Sequence, residues 1–152
     1  MKQSVKRLSG IKIIVIIPAF NEEEAVGKVV EEIPDYVEEV IVVDNNSSDQ
    51  TANVAQKGGA TVLFEKQKGY GKACLKGIDY INNKKDKPKI VVFLDADYSD
   101  YPQQMDRIIQ PIIDQKAQLV IGSRELGHRE KGSMTIPQIF GNRLSSVLLK
   151  WL

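Results

Sequence analysis

The chain has 152 residues, 42% hydrophobic and 27% charged, which suits one soluble globular domain with a buried core. Its 21 basic and 20 acidic residues leave a net charge of +1, so the basic excess of a nucleic-acid binder is missing. One cysteine, Cys74, excludes an intrachain disulfide, argues against a zinc cluster and suits a reducing cytoplasm.

The first ten residues, MKQSVKRLSG, are basic, but no long apolar stretch follows them. The run IIVIIPAF is too short for a signal peptide and is broken by Pro18. No apolar run reaches the roughly 18 residues of a membrane-spanning helix. Residues 11–17, IKIIVII, read as a strand buried on both faces and ended by Pro18. Asn21 is placed to cap a helix with Glu22, Glu23 and Glu24 in its first turn, where the helix dipole favours acids. That helix should stop before Pro34.

EEVIVVD is a second strand. Asp49 caps a short helix over 51–57, closed by Gly58 and Gly59. Residues 60–64 form a third strand, and a lysine- and glycine-rich loop leads into a helix over 72–81. Residues 89–95 form a fourth buried strand. Asp100 and Pro102 start the next helix, and AQLVIGS, 117–123, is a fifth strand. The segment 124–135 is polar. A last stretch carries Ile136, Ile139, Phe140, Leu144, Val147, Leu148 and Trp151 at helical spacing. It suits packing on a core or, second, lying at a membrane interface.

Strands alternating with helices imply an α/β fold, a mostly parallel sheet with helices on both faces. Right-handed crossovers carry the loops PAFNEE, DNNSSD and DADYSD to the carboxyl edge of that sheet, where open α/β sheets bind ligands. Asp95 and Asp97, two residues apart at a strand end, point the same way on extended chain. Their carboxylates repel unless a cation joins them, and a hard ion such as Mg²⁺ or Mn²⁺ suits oxygen ligands and a diphosphate. The competing reading makes them solvated turn residues; their place at the sheet edge favours the metal.

Phe20 offers a ring for a base, and Asn21 and Glu22 offer polar contacts; core packing for Phe20 and capping for Asn21 are the plainer alternatives. Asp44 suits a ribose or base, or equally an Asx turn. In KGYGKA, Lys72 can meet phosphate, although a flexible loop feeding a helix explains it as well. No P-loop is present. Arg124, nearest the sheet edge in a basic loop with His128 and Arg129, has a guanidinium shaped for phosphate.

Together VIIPAFNEEE, VVDNNSSDQT, KGYGKACLKGI, VVFLDADYSDYP, LVIGSR and FGNRL resemble family-two glycosyltransferases, in the branch that transfers mannose or glucose to dolichyl (polyprenyl) phosphate. The resemblance covers the chain from Ile13 onward. It implies a GT-A fold and an inverting transfer from a nucleoside-diphosphate sugar of the GDP-mannose or UDP-glucose type. Pro18, Phe20, Glu22 and Asp44, with Ala19, Asn21, Asn46, Asp95 and Ala96 on the same loops, then hold the nucleotide. Asp95 and Asp97 hold the metal with Ser99 two positions on, and Arg124 handles phosphate, so Asp97 and Arg124 carry the catalysis. Three departures stand out: Phe20 replaces a frequent tyrosine, Asn45 replaces the second aspartate of a V-D-D-G-S pattern, and the chain ends within an amphipathic stretch.

The last departure implies a single nucleotide-sugar-binding domain, 1–152, incomplete at its C-terminus. A cytoplasmic enzyme, or one at the cytoplasmic face of a membrane, follows, with a polyprenyl phosphate or another acceptor as second substrate. A fragment that binds nucleotide without transferring sugar is the alternative. A sugar nucleotidyltransferase ranks lower, because PAFNEEE lacks its glycine- and arginine-rich loop. A receiver-type signalling module ranks lower too, since it wants paired acids where Pro18 and Ala19 stand.

Overall fold

The computed structural model describes residues 10–122. Its sheet contains β1 (Ile13–Ala19), β2 (Glu39–Asp44), β3 (Thr61–Phe64) and β4 (Ile90–Phe93). Their order is β3-β2-β1-β4 and every pairing is parallel. The helices are α1 (Val26–Glu31), α2 (Thr51–Lys57), α3 (Tyr70–Asn82) and α4 (Met105–Ile113), the last entered through a 3-10 turn at Pro102–Gln104.

β1 is central, and all seven of its residues are buried. Its alternate side chains feed two cores. Ile13, Val15 and Ile17 join Val26, Val29, Met105 and Ile109 on one face, while Ile14 and Ile16 join Ile41, Val43, Ala73 and Ile81 on the other. A strand buried on both faces needs an unbroken apolar run, which IIVII supplies. On the second face α3 approaches closely at Gly77. A Cβ there would lie 2.7 Å from Ile16 Cγ2.

The register levels the strand ends. Ala19 pairs with Asp44, and Asp44 with Phe64. The loops after β1, β2, β3 and β4 therefore leave from one edge.

Two expected elements differ. The first helix begins at Val26, not after Asn21, and has no acid in its first turn. Asn21 sits in the left-handed region at φ 56°, and its Oδ1 accepts the Ser48 N–H at 2.9 Å. The carbonyl that would cap a helix is thus spent on the neighbouring loop, and Glu22–Ala25 form a turn instead.

The fifth strand, expected over 117–123, is not formed by residues 117–122. Leu119 and Ile121 are 76% and 78% exposed. Branched residues favour a strand only where a neighbour accepts its hydrogen bonds and covers its side chains. The chain divides into two compact units, Met1–Gln118 and Leu119–Leu152. Arg124, His128, Arg129 and the last amphipathic stretch lie outside the described residues.

The fourth strand, expected buried, alternates instead, with Ile90 and Val92 buried and Val91 and Phe93 exposed, and the cap residue of α2 is Gln50 rather than Asp49. Most other boundaries are met within a few residues. α1 ends before Pro34, α2 closes at Gly58 and Gly59, and Pro102 opens the 3-10 turn. α3 starts at Tyr70, two residues early. No helix among the described residues is long and apolar enough to cross a membrane.

Candidate active site

The four loops at the carboxyl edge are laced together by hydrogen bonds. The Asn21 N–H donates to Ser47 Oγ at 3.0 Å, Glu22 N–H to Thr51 Oγ1 at 2.8 Å and Gln50 N–H to Glu23 Oε2 at 2.8 Å. Asp49 serves two loops at once: Oδ1 accepts the Thr51 N–H at 3.0 Å and Oδ2 the Glu23 N–H at 3.2 Å. Burial works against its carboxylate, but the Thr51 hydroxyl and these N–H groups prevail and lower its pKa. The next link is Asn45, which ties the loop after β2 to residues 65–69. Tyr70 closes the series, its phenol donating to Asp95 Oδ1 at 3.2 Å.

Three of these loop residues sit in left-handed backbone that only glycine adopts freely: Asn21, Asn46 and Tyr98, at φ 56°, 64° and 60°. Asparagine tolerates it; an aromatic residue does so at a cost of about 1–3 kcal/mol. Tyr98 is held there by its phenol, which donates to Glu32 at the end of α1. Such strain collects where a loop has to be aimed.

Between the loops lies a cleft of about 340 Å³. It is lined by Pro18 and Ala19 from the end of β1, Phe20 and Glu22 from the first loop, Asn45 from the second, and Asp95, Ala96 and Asp97 from the last. Lys68, Gly69, Tyr70 and Ala73 form the remaining wall. Phe20 is 44% exposed, with the Lys68 ammonium 4.5 Å from its ring centroid. Desolvation raises the Glu22 carboxyl above its ordinary pKa, and the Asp97 and Asp49 carboxylates add to the shift. Burial, then Asp95 and Cys74, push the Tyr70 phenol up to about 12, so it stays a proton donor to Asp95.

Seven of the residues singled out in the sequence thus share one cleft: Pro18, Ala19, Phe20, Glu22, Asp95, Ala96 and Asp97. Asp97 lies in a turn rather than on extended chain, its Oδ1 accepting the Ser99 N–H at 2.9 Å. Asn21, Asp44, Asn46, Lys72 and Ser99 are off the lining. Asp44 is 5% exposed and accepts the Ser47 N–H at 3.3 Å. Lys72 is exposed. Because α3 starts at Tyr70, the buried stripe of the helix runs through Ala73, and Lys72 falls beside it.

Lys68, Tyr70 and Asn45 were not among the expected site residues. The signal for the first two was the KGYG segment itself, whose glycines mark a loop folding close to something. At φ 135° Gly69 makes that turn.

Whether a divalent ion suits this cleft is a question of donors. Among the described residues no group of three or more His, Cys, Asp or Glu side chains could hold a metal. Two carboxylates, Asp95 and Asp97, do open on the cleft. Mg²⁺ commonly takes one or two carboxylates and completes its shell with water and substrate phosphates, so the donor set fits an ion that arrives with a diphosphate.

Residues 14–150 match the family described as Glycosyl transferase family 2. The chain belongs to that family. An uncharacterized glycosyltransferase of Mycobacterium tuberculosis is 33% identical over 95% of this chain and 60% of its own length. The dolichyl-phosphate hexose transferase of Haloferax volcanii is 32% identical over 88% of this chain and 54% of its own. Glucosyl-3-phosphoglycerate synthase of M. tuberculosis, solved with Mn²⁺, UDP and glucosyl-3-phosphoglycerate, superposes with a TM-score of 0.62 at 27% identity, over 74% of this chain and 43% of the synthase. The same synthase has been solved with Mg²⁺ and UDP. The family-2 chain therefore has the GT-A architecture, and it spans about half to three fifths of the length of several curated relatives it matches.

Proposed function

We propose that the cleft is the donor site of a glycosyltransferase, taking a nucleoside-diphosphate sugar together with Mg²⁺ or Mn²⁺. The observation that carries this is the meeting of Phe20, Glu22, Asp95, Asp97 and Lys68 in one cleft at the carboxyl edge of a parallel sheet. A base stacks on the exposed Phe20 ring, and the diphosphate lies toward Asp95 and Asp97. Asp44, buried beneath the lining, and Asn46, exposed on the same loop in left-handed backbone, shape the loop that meets the ribose. Lys68 supplies positive charge to the same space, and Arg124, outside the described residues, adds charge at a phosphate.

The reaction is a displacement at the anomeric carbon. A bond forms from an acceptor oxygen to that carbon, the bond to the β-phosphate oxygen breaks, and the nucleoside diphosphate leaves with inversion at the sugar. When bound, the divalent ion supplies Lewis-acid neutralisation of the departing charge. Asp95 and Asp97 hold it, and Tyr70 and the Ser99 N–H hold those two carboxylates in place.

A polyprenyl phosphate is the acceptor best supported, through the likeness to the dolichyl-phosphate hexose transferase. Such a phosphate is already an anion at neutral pH and needs no general base. The likeness to the phosphoglycerate synthase favours a second reading, a small phosphorylated acid as acceptor; reacting through a hydroxyl, it would release a proton as the bond forms and require a base that a polyprenyl phosphate does not. A polyprenyl acceptor brings the protein to a membrane surface, with the cytoplasmic face the natural side for a nucleotide sugar.

The test is incubation with UDP-glucose or GDP-mannose, Mn²⁺, and either polyprenyl phosphate or 3-phosphoglycerate, with products read by mass spectrometry. Glycosylation of one acceptor that stops with Asp97→Asn or with chelator is expected. Transfer undiminished in Asp97→Asn contradicts the assignment of the donor site.

A further inference from the structure

Asn45 stands where the family-like pattern has a second aspartate, and the structure gives its amide a complete set of partners. The side chain is 5% exposed. Its Nδ2 donates to the Glu65 carbonyl at 3.1 Å and to the Gln67 carbonyl at 2.7 Å, while Oδ1 accepts the Gly69 N–H at 2.7 Å. Its backbone N–H donates to the Ala19 carbonyl at 2.8 Å. One residue thus joins the ends of β1 and β2 to the segment that carries Lys68 and Tyr70.

An amide alone offers this combination of two donors and an acceptor. A carboxylate in its place would face two carbonyl oxygens with no proton to give and could keep only the Gly69 N–H. The segment 65–69 has one other internal tie near this point, the Gln67 N–H to Glu65 Oε1 at 2.7 Å, and that bond is exposed. The Glu65 N–H also donates to the Asp44 carbonyl at 2.9 Å, so backbone pairing fixes the start of the segment, and beyond it Gln67 and Gly69 are held to the loop after β2 through Asn45.

The consequence reaches the cleft. Lys68 lies 4.5 Å from the Phe20 ring centroid and Tyr70 reaches Asp95, so the residues between and around them set the distance from the ring to the acidic pair. We infer that Asn45 is a positioning residue for donor binding: its amide fixes the wall formed by residues 65–70, and through Lys68 and Tyr70 it aligns the base-stacking ring with the carboxylates that face the diphosphate. This rests on the nucleotide-sugar reading above. It accounts for an asparagine at this place without asking it to touch the base.

The test uses the full chain and Asn45→Ala, which removes all three side-chain bonds, the one from the Gly69 N–H included. Amide exchange of Gly69 is followed by NMR, and binding of UDP and of GDP with Mn²⁺ by calorimetry. Gly69 exchange should quicken at least about tenfold while amides of β1 and β2 stay as protected as in wild type. Nucleotide affinity should fall at least about tenfold. Adding Lys68→Ala should weaken the variant less than it weakens wild type, because Asn45 acts through that wall.

Unchanged Gly69 exchange overturns the inference, and so does quicker exchange with unchanged affinity. If Asn45→Ala loosens β1 and β2 as well, Asn45→Ser replaces it. Its hydroxyl still donates one bond, and an affinity between those of wild type and Asn45→Ala is expected; affinity equal to wild type overturns the inference. Failure of wild type to bind either nucleotide overturns the nucleotide reading instead, and Gly69 exchange still decides whether Asn45 holds the wall.

Discussion

Glu22 faces Asp97 across the cleft and Asp49 behind it, in surroundings that disfavour its charge. Its raised pKa means that the folded chain holds a proton there at pH values where the unfolded chain has released it. Stability from this group is therefore complete below the ordinary value of 4.5 and is lost as pH rises through the folded value. Glu22→Gln should raise the thermal unfolding midpoint at pH 7, with the gain vanishing below about pH 4.5. A variant less stable than wild type at pH 7 would show that the ionised carboxylate is favourably paired. Mn²⁺ with UDP should narrow the gap between the two, since the ion relieves the same repulsion.

Phe20 belongs to the same scale. Its ring is open on the cleft, and loss of a base–aromatic stack costs about 1–3 kcal/mol. Phe20→Ala should weaken nucleotide binding by about 5- to 150-fold in calorimetry, with Phe20→Tyr close to wild type. Affinity unchanged in Phe20→Ala would place the base elsewhere. Several such residues were legible as sequence: the spacing of Asp95 and Asp97 after a hydrophobic strand, and an aromatic residue just past Pro18. Lys68 and Tyr70 were not, because their places depend on the residue at which α3 starts. A change of two positions turns a helix by more than half a turn.

At the scale of elements, α3 rests on β1 through Gly77. A methyl group there meets Ile16 Cγ2 at 2.7 Å, and that atom, attached directly to Cβ, has little room to move. Overpacking costs about 1–3 kcal/mol, against about 1 kcal/mol that alanine gains over glycine in a helix. Gly77→Ala should therefore lower stability by up to about 2 kcal/mol in urea titration, and a rise in stability would mean that α3 can slide outward. Asp49→Ala should cost about 1 kcal/mol in the same titration, a loss of the size seen when a side-chain acceptor at a helix entry is removed, because the Thr51 N–H and hydroxyl and the Glu23 N–H all lose their acceptor.

Most elements could be read from the chain because their causes are local. IIVII is apolar without alternation, Gly58 and Gly59 follow a helical run, and Pro102 sits at a helix entry. The start of α1 could not be read that way. Asn21 has the chemistry of a cap, but its partner proved to be Ser48 on another loop, a contact set by the parallel pairing of β1 with β2. The stretch 117–122 failed for a related reason. Its residues favour a strand, yet a strand is made by its neighbours, which no composition specifies.

For the molecule as a whole, the parallel register brings four loops to one edge, and hydrogen bonds among them turn separate motifs into one wall-to-wall cleft. Each motif taken alone is ambiguous; their convergence is what the sheet adds. The central claim is that this cleft binds a nucleoside diphosphate through a divalent ion on Asp95 and Asp97. Calorimetric titration of UDP and GDP tests it, on wild type and Asp97→Asn, with Mn²⁺ and then with chelator. The account predicts binding of one nucleotide with Mn²⁺ that is lost with chelator and lost in Asp97→Asn. Binding equally tight in all four conditions would contradict it.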